Sequence, residues 1–129
     1  MKISKLDHLV LTVKSIDESV NFYVNVLGMK RIVFGDNRIA LAFGDQKINL
    51  HQHKNEFEPK AENVMPGSAD LCFIVDIPIS EVKKYLIGHN VSLVDGPVYR
   101  TGAIGRLLSI YIRDPDSNLI ELSNYIQIT

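Results

Sequence analysis

The 129-residue chain has one cysteine, Cys72, so it can form no disulfide within itself. A reducing compartment is the expectation. No apolar run reaches membrane-spanning length, and the N-terminus lacks the apolar core of a signal peptide. The sequence is therefore expected to be cytoplasmic, with no membrane partner. Charge of one sign is also lacking: the net charge is −1, which gives no general pull toward nucleic acid or an anionic surface. Hydrophobic content of 46% and charged content of 22% leave an ordinary globular domain, long enough for a real core.

What the chain does have is repetition, and a repeat fixes architecture before any local reading. Asp7-His8-Leu9-Val10-Leu11-Thr12-Val13 is answered by Ala69-Asp70-Leu71-Cys72-Phe73-Ile74-Val75. Ile48-Asn49-Leu50-His51-Gln52 is answered by Leu119-Ile120-Glu121-Leu122-Ser123. Residues 6–13 alternate as a strand with two mostly apolar faces. Ser15-Ile16-Asp17-Glu18 is a capping box that predicts a helix to about Leu27, ended by Gly28. Three short strands are predicted near 29–35, 38–43 and 46–52, separated by Gly35-Asp36-Asn37 and Gly44-Asp45. Residues 53–67 are polar and aperiodic, a linker or a flap. The unit then recurs: a strand at 69–75, a helix near 79–87 ended by Gly88, and strands near 91–94, 106–113 and 118–125. Asp114-Pro115-Asp116-Ser117-Asn118 is a strong turn, and Pro97 to Gly105 reads as a Gly-containing loop. The fold class expected is α+β, one domain over 1–129. It is built of two β-α-β-β-β modules, about 3–52 and 68–126, whose open mixed sheet lines a cleft.

Four metal-capable side chains stand at matching places in the repeat: His8, His51, Asp70 and Glu121. The offset from His8 to Asp70 is 62 residues and from His51 to Glu121 it is 70. Imidazole and carboxylate suit Zn, Ni, Co, Mn or Fe, and no thiolate draws the site toward a soft metal. Glu121 sits among Leu119, Ile120 and Leu122, where an unpartnered carboxylate is costly. His53 rivals His51, since i and i+2 share a strand face. His51 is preferred as the repeat partner of Glu121. His89 reads as a surface residue and Cys72 as a small buried hydrophobe. Tyr111 should lie across from Glu121, either donating to a substrate oxygen or packing across the strands. Arg100 and Arg106 can grip a substrate carboxylate or phosphate, or stand in water as loop arginines. Arg113 reads as a stabiliser of the 114–118 turn.

The double unit, the Asp7–Val13 strand and the run Arg113-Asp114-Pro115-Asp116-Ser117-Asn118-Leu119-Ile120-Glu121-Leu122 resemble the vicinal oxygen chelate superfamily over nearly the whole chain. Within it, Phe43-Gly44-Asp45-Gln46-Lys47, Glu56-Phe57-Glu58-Pro59-Lys60-Ala61 and Arg100-Thr101-Gly102-Ala103 are similar to single-domain glyoxalase domain-containing and lactoylglutathione lyase-like proteins. The resemblance implies ligands from the first and last strand of each module, hence His8, His51, Asp70 and Glu121. Relatives often carry His or Glu where this chain has Asp70, whose reach is shorter. A homodimer is expected because two open half-barrels leave apolar sheet surface and edges to cover; the resemblance implies that each site is built within one chain or shared between two.

The activity expected is a divalent-metal-dependent lyase or isomerase acting on two adjacent oxygens. The hemithioacetal of a 2-oxoaldehyde, with glutathione as co-substrate, is the model case. Glu121 or a metal-bound water would be the base, with Tyr111 beside it. Two other readings stay open. One is an Fe(II) ring-cleaving dioxygenase, against which Asp70 counts because that pattern expects His there. The other is a metal-free protein that binds a drug or antibiotic. A fold of this kind hosts many reactions and does not choose between them.

Overall fold

In the computed structural model, residues 1–127 are described. Ten elements follow in order: β1 (His8–Val13), α1 (Ile16–Asn25), β2 (Lys30–Phe34), β3 (Arg38–Phe43), β4 (Gln46–Gln52), β5 (Asp70–Ile74), α2 (Ile79–Gly88), β6 (Asp95–Thr101), β7 (Arg106–Arg113) and β8 (Leu119–Tyr125). The chain divides into two compact units after Ser68. Each is a β-α-β-β-β module with one four-stranded sheet. The strand orders are β1-β4-β3-β2 and β5-β8-β7-β6. In each, the first strand runs parallel to the last and the other pairs are antiparallel. No helix among the described residues is long and apolar enough to cross a membrane.

Side chains alternate along a strand, so each sheet has a helix face and an open face. In the first module Leu11, Val13, Leu41, Ile48 and Leu50 are buried with Tyr23 of α1. In the second, Ile110, Ile112, Ile120 and Leu122 are buried with Ile79, Val82 and Leu86 of α2. Each such side chain contributes about 1.5–3 kcal/mol by leaving water. These rows fix the register, because a slip of one residue would turn the apolar set outward. The polar residues left on the open faces are the raw material of any site.

The ends of the elements follow local chemistry. Ser15 Oγ accepts from the Glu18 N–H at 3.2 Å, half of the expected capping box. Gly28 takes φ +72° as α1 closes, with Met29 N–H bonded to Tyr23 O at 2.9 Å. The second helix begins at Ile79, as expected, and departs from expectation at its C-terminal end. Its N-cap is Pro78, which offers no side-chain acceptor. The Ile79 N–H instead donates to Asn124 Oδ1 of β8 at 2.8 Å. Gly88 lies inside the helix, and the left-handed position falls on Asn90, φ +58°.

The expected strand near 91–94 and loop from Pro97 to Gly105 are replaced by β6, which spans Asp95–Thr101. Only 102–105 turns, closed by Gly102 N–H on Gly105 O at 2.7 Å. Pro97 reads as a strand breaker in sequence. Here β6 is the edge of its sheet, where a missing N–H costs no ladder bond, and the register shifts between Asp95 and Val98.

Candidate active site on the open face of the second module

Glu121 stands on β8 with its neighbours Ile120 and Leu122 turned to the helix face. Its own side chain is on the open face, half-buried rather than sunk in the core. Two strand partners flank it there: Cys72 on β5 and Tyr111 on β7. Tyr111 is thus directly across from Glu121, as the turn at 114–118 implies. That turn is built on Asp114, whose Oδ1 accepts from the N–H groups of Asp116 and Asn118 at 2.9 Å each. Asp114 Oδ2 takes the Asn118 side-chain amide at 2.8 Å. Asn118 in turn accepts from Ala69 N–H at 2.8 Å, tying the turn to the start of β5 and hence to Asp70.

Two serine hydroxyls meet on one oxygen of the Glu121 carboxylate, which also has hydrogen-bond interactions with the Tyr111 and Cys72 side chains. Ser109 Oγ donates to Oε2 at 2.6 Å, and Ser123 Oγ reaches the same oxygen at 3.3 Å. Neither serine stands out in sequence by residue type; their signal there is the i+2 spacing of Ser123 and the cross-strand place of Ser109 relative to Glu121. Arg100 Nε donates to the Tyr111 hydroxyl at 3.0 Å, and its guanidinium also bonds Tyr99 O at 2.9 Å. A looser contact of 3.7 Å runs to Asp95. Burial raises the Tyr111 phenol; the Arg100 hydrogen bond pulls down, while Glu121 adds to the rise. Tyr111 stays protonated; Arg100 fills its acceptor side, and its own O–H is directed to Glu121.

Two cavities open on this face. One of about 340 Å³ is lined by Asp70, Asp95, Arg100, Tyr111, Arg113 and Glu121, with Val94 and Leu119. The other, about 380 Å³, is more apolar and includes Cys72, Ile74, Leu107, Tyr125 and Ala103. Arg100 and Glu121 line both. Of the two arginines singled out, the structure brings only Arg100 to the site. Arg106 pairs with Thr101, on the face opposite Arg100, and lies over the Tyr99 ring at 4.2 Å. Arg113 does bond the turn, to Ser117 O at 3.3 Å.

The first module's open face holds His8 and His51, at opposite ends. His8 pairs with Lys47 and His51 with Thr12. Four residues separate them along the strands, about 13 Å, more than two imidazoles on one face can span through a single ion. The register also corrects the repeat. Asp70 with Glu121 two steps on, opposite Cys72, corresponds to His8 with Asn49 opposite Val10. Asn49, 72 residues before Glu121, holds its place, and His51 matches Ser123. A slip of two preserves the face, so hydrophobic alternation cannot detect it. A neutral amide is a weak metal-donor signal in sequence, yet Asn49 is 5% exposed and its Oδ1 has no hydrogen-bond partner among the described residues.

His51 is otherwise engaged. Arg38 Nη2 donates to its Nε2 at 3.2 Å. Phe57, from the 53–67 segment, sets its ring against the imidazole with centroids 5.5 Å apart. Burial, with Arg38 second, lowers the His51 pKa and keeps it neutral. The same segment brings Pro59, Lys60, Ala61 and Val64 over Val10, Thr12 and His51, leaving a cavity of about 360 Å³. His8 is half-exposed, and its Nδ1 meets Asp7 Oδ1 at 2.7 Å. With Nδ1–H donating to Asp7, the neutral ring keeps its lone pair on Nε2, the usual arrangement of a ligating imidazole. His89 is exposed and stacks on Tyr85.

For a divalent ion the donor chemistry fits: an oriented imidazole, an unpartnered buried amide oxygen and two carboxylates. Among the described residues, no three His, Cys, Asp or Glu side chains converge into a metal cluster. Each open face by itself supplies one pair, His8 with Asn49 and Asp70 with Glu121.

Residues 5–122 match the glyoxalase/bleomycin resistance protein/dioxygenase superfamily. The chain is 56% identical over 126 residues to virulence protein STM3117 of Salmonella typhimurium, covering 98% of this chain and 88% of that one. The crystal structure of that protein superposes with a TM-score of 0.96 over 98% of this chain and 100% of the other. Glyoxalase domain-containing protein RDO1 of Mycosarcoma maydis is 54% identical over 97% of this chain and 70% of its own length. An integron cassette protein from V. cholerae is 61% identical, with a TM-score of 0.95 and 98% of each chain covered. The chain belongs to the glyoxalase/bleomycin resistance protein/dioxygenase superfamily.

Proposed function

We propose that the protein is a divalent-metal-dependent lyase or isomerase acting on a small substrate with two adjacent oxygens, of the type a 2-oxoaldehyde hemithioacetal presents. The observation that carries this reading is the Glu121–Tyr111 pair, an oriented carboxylate facing a protonated phenol inside an open polar cavity. Asp70 and Glu121 would be metal donors on this face, and His8 and Asn49 on the other module's. Bound Zn, Ni, Co or Mn would act as a Lewis acid on the substrate oxygens.

The chain's own residues do the rest. Glu121 takes the proton from the carbon bearing one oxygen and returns it to the neighbouring carbon. Tyr111 donates its O–H to the oxygen on which negative charge develops, and Arg100 holds that phenol in place. Arg100 also sets a positive charge where the two cavities meet, suited to an anionic group on the substrate. A homodimer in the cytoplasm belongs to the same reading, since Val10 and Ile74 are 44% and 54% exposed on the open faces.

The test is turnover of methylglyoxal with glutathione, followed as thioester formation, by protein loaded with each metal. Activity in wild type and its loss in Glu121→Gln support the proposal. Metal-loaded wild type that binds an aldehyde adduct without turnover would favour a binding protein. Oxygen consumption with catechols on the iron-loaded form would favour the dioxygenase.

A further inference from the structure

We propose that Cys72, Ser123 and Ser109 form a one-way hydrogen-bond chain that positions the Glu121 carboxylate from behind. The inference rests on the metal-dependent reading above and extends it to three residues outside that ligand set. Ser109 and Ser123 are both 0% exposed, so no solvent can replace what they bond. They pair across β7 and β8 on the open face. Their hydroxyl oxygens are 2.6 Å apart, Ser109 is 2.6 Å from Glu121 Oε2, and Cys72 Sγ is 3.4 Å from Ser123 Oγ.

The direction of the chain follows from proton counting. An ionised carboxylate only accepts, and each hydroxyl has one proton to give. Ser109 therefore spends its proton on Glu121. The short contact between the serines must then be filled by the Ser123 proton, which also leans toward Oε2 at 3.3 Å. Ser123 is left as an acceptor for the Cys72 thiol, which also lies within hydrogen-bonding reach of Glu121 itself. Each donor polarises the next, so the last bond, onto Glu121, is the strongest. Oε2 is thereby pinned, which sets the direction in which the carboxylate offers its other oxygen to the cavities it lines.

The first module shows what the same two places do without an acid to serve. Arg38 and His51 match Ser109 and Ser123 in register and bond each other. A polar cross-strand pair recurs there, and only in the second module does it end on a carboxylate.

Cobalt(II) is the probe, read by its binding constant and its visible d–d absorption, neither of which depends on turnover. Ser109→Ala should bind Co²⁺ about tenfold more weakly, in the range expected for a group behind a ligand, with an altered spectrum. Cys72→Ala should weaken binding measurably, and Cys72→Ser, which restores a donor, should recover it. Co²⁺ affinity and spectrum unchanged in Ser109→Ala would overturn the proposal. If Ser109→Ala does not fold, Ser123→Ala is measured the same way. Should wild type bind no Co²⁺ at all, the metal reading falls separately. Crystal structures then decide: a Glu121 carboxylate rotated away in Ser109→Ala supports the chain, and one left in place refutes it.

Discussion

Asn49 and Glu121 occupy the same register position in their two modules, each opposite the second open-face residue of the first strand, Val10 in one and Cys72 in the other. One place in the repeat is therefore filled by a neutral amide and the other by a carboxylate. The amide carries the greater local cost, because its Oδ1 is buried without a partner. Leaving a buried acceptor unsatisfied costs about 1–3 kcal/mol.

That cost makes Asn49→Ala informative. Removing an unsatisfied polar group relieves the penalty while leaving a small void, so unfolding free energy should change by less than about 1 kcal/mol. Co²⁺ affinity should fall at least tenfold if the oxygen is kept for an ion. A large stability loss with unchanged Co²⁺ binding would instead make Asn49 a packing residue.

His51 gives the opposite expectation. His51→Ala should leave Co²⁺ binding intact, since the imidazole stands about 13 Å from His8 along the sheet. It should destabilise the fold by about 2–4 kcal/mol, because it strips the Arg38 guanidinium of a partner and opens a void beneath Phe57. Denaturant unfolding, read beside a metal titration, separates the two effects.

The pH dependence follows from the same residue. Burial depresses the His51 pKa below its ordinary 6.5 in the folded state. The unfolded chain thus binds the proton more readily, and stability rises with pH. The contribution is present above about pH 6.5 and lost as pH falls toward the folded value. His51→Gln should flatten the stability profile between pH 7 and 5; a profile as steep as wild type would assign that slope to other groups.

The fold was legible because its signals are local. The 3.6-residue and two-residue periods, the Ser15 cap, Gly28 and the 114–118 turn each act within a few residues, and the elements lie where they predict. Edge status is not local. Pro97 breaks a central strand but not an outer one, so β6 could not be read without knowing which strand lies outermost. The site was half legible for a related reason. The 114–118 turn fixes the pairing of β7 with β8, so Tyr111 could be counted back to Glu121. Parallel pairing of β1 with β4 has no connecting turn to count from, and the slip from Asn49 to His51 went unseen.

Arg100 and Arg106 look interchangeable in sequence and are not in the structure. Arg100→Ala should raise KM for an anionic substrate and lower kcat, because it both lines the cavities and holds the Tyr111 hydroxyl. Arg106→Ala should leave both constants within about twofold, since its guanidinium stacks on Tyr99 away from that face. Steady-state kinetics on the two variants test this, and a matched loss in Arg106→Ala would mean that the opposite face also serves the substrate.

Asp114 sets the turn on which the whole site depends. Asp114 is 5% exposed, and its carboxylate accepts from the backbone N–H groups of Asp116 and Asn118 and from the Asn118 side chain. Asp114→Ala leaves those donors buried and unpaired, each costing about 1–3 kcal/mol, so a loss of about 3–5 kcal/mol is expected. Asp114→Asn has the same shape but only one accepting oxygen, and it should lose roughly half as much. Because Asn118 also caps the start of β5, the damage should reach Asp70 and, across the sheet, Glu121. Hydrogen exchange of the Asp114→Asn protein should show faster exchange at Ala69 and Leu119 while the amides of α1 keep wild-type protection. Uniform acceleration across both modules would mean that the turn sustains the fold globally instead of this face alone.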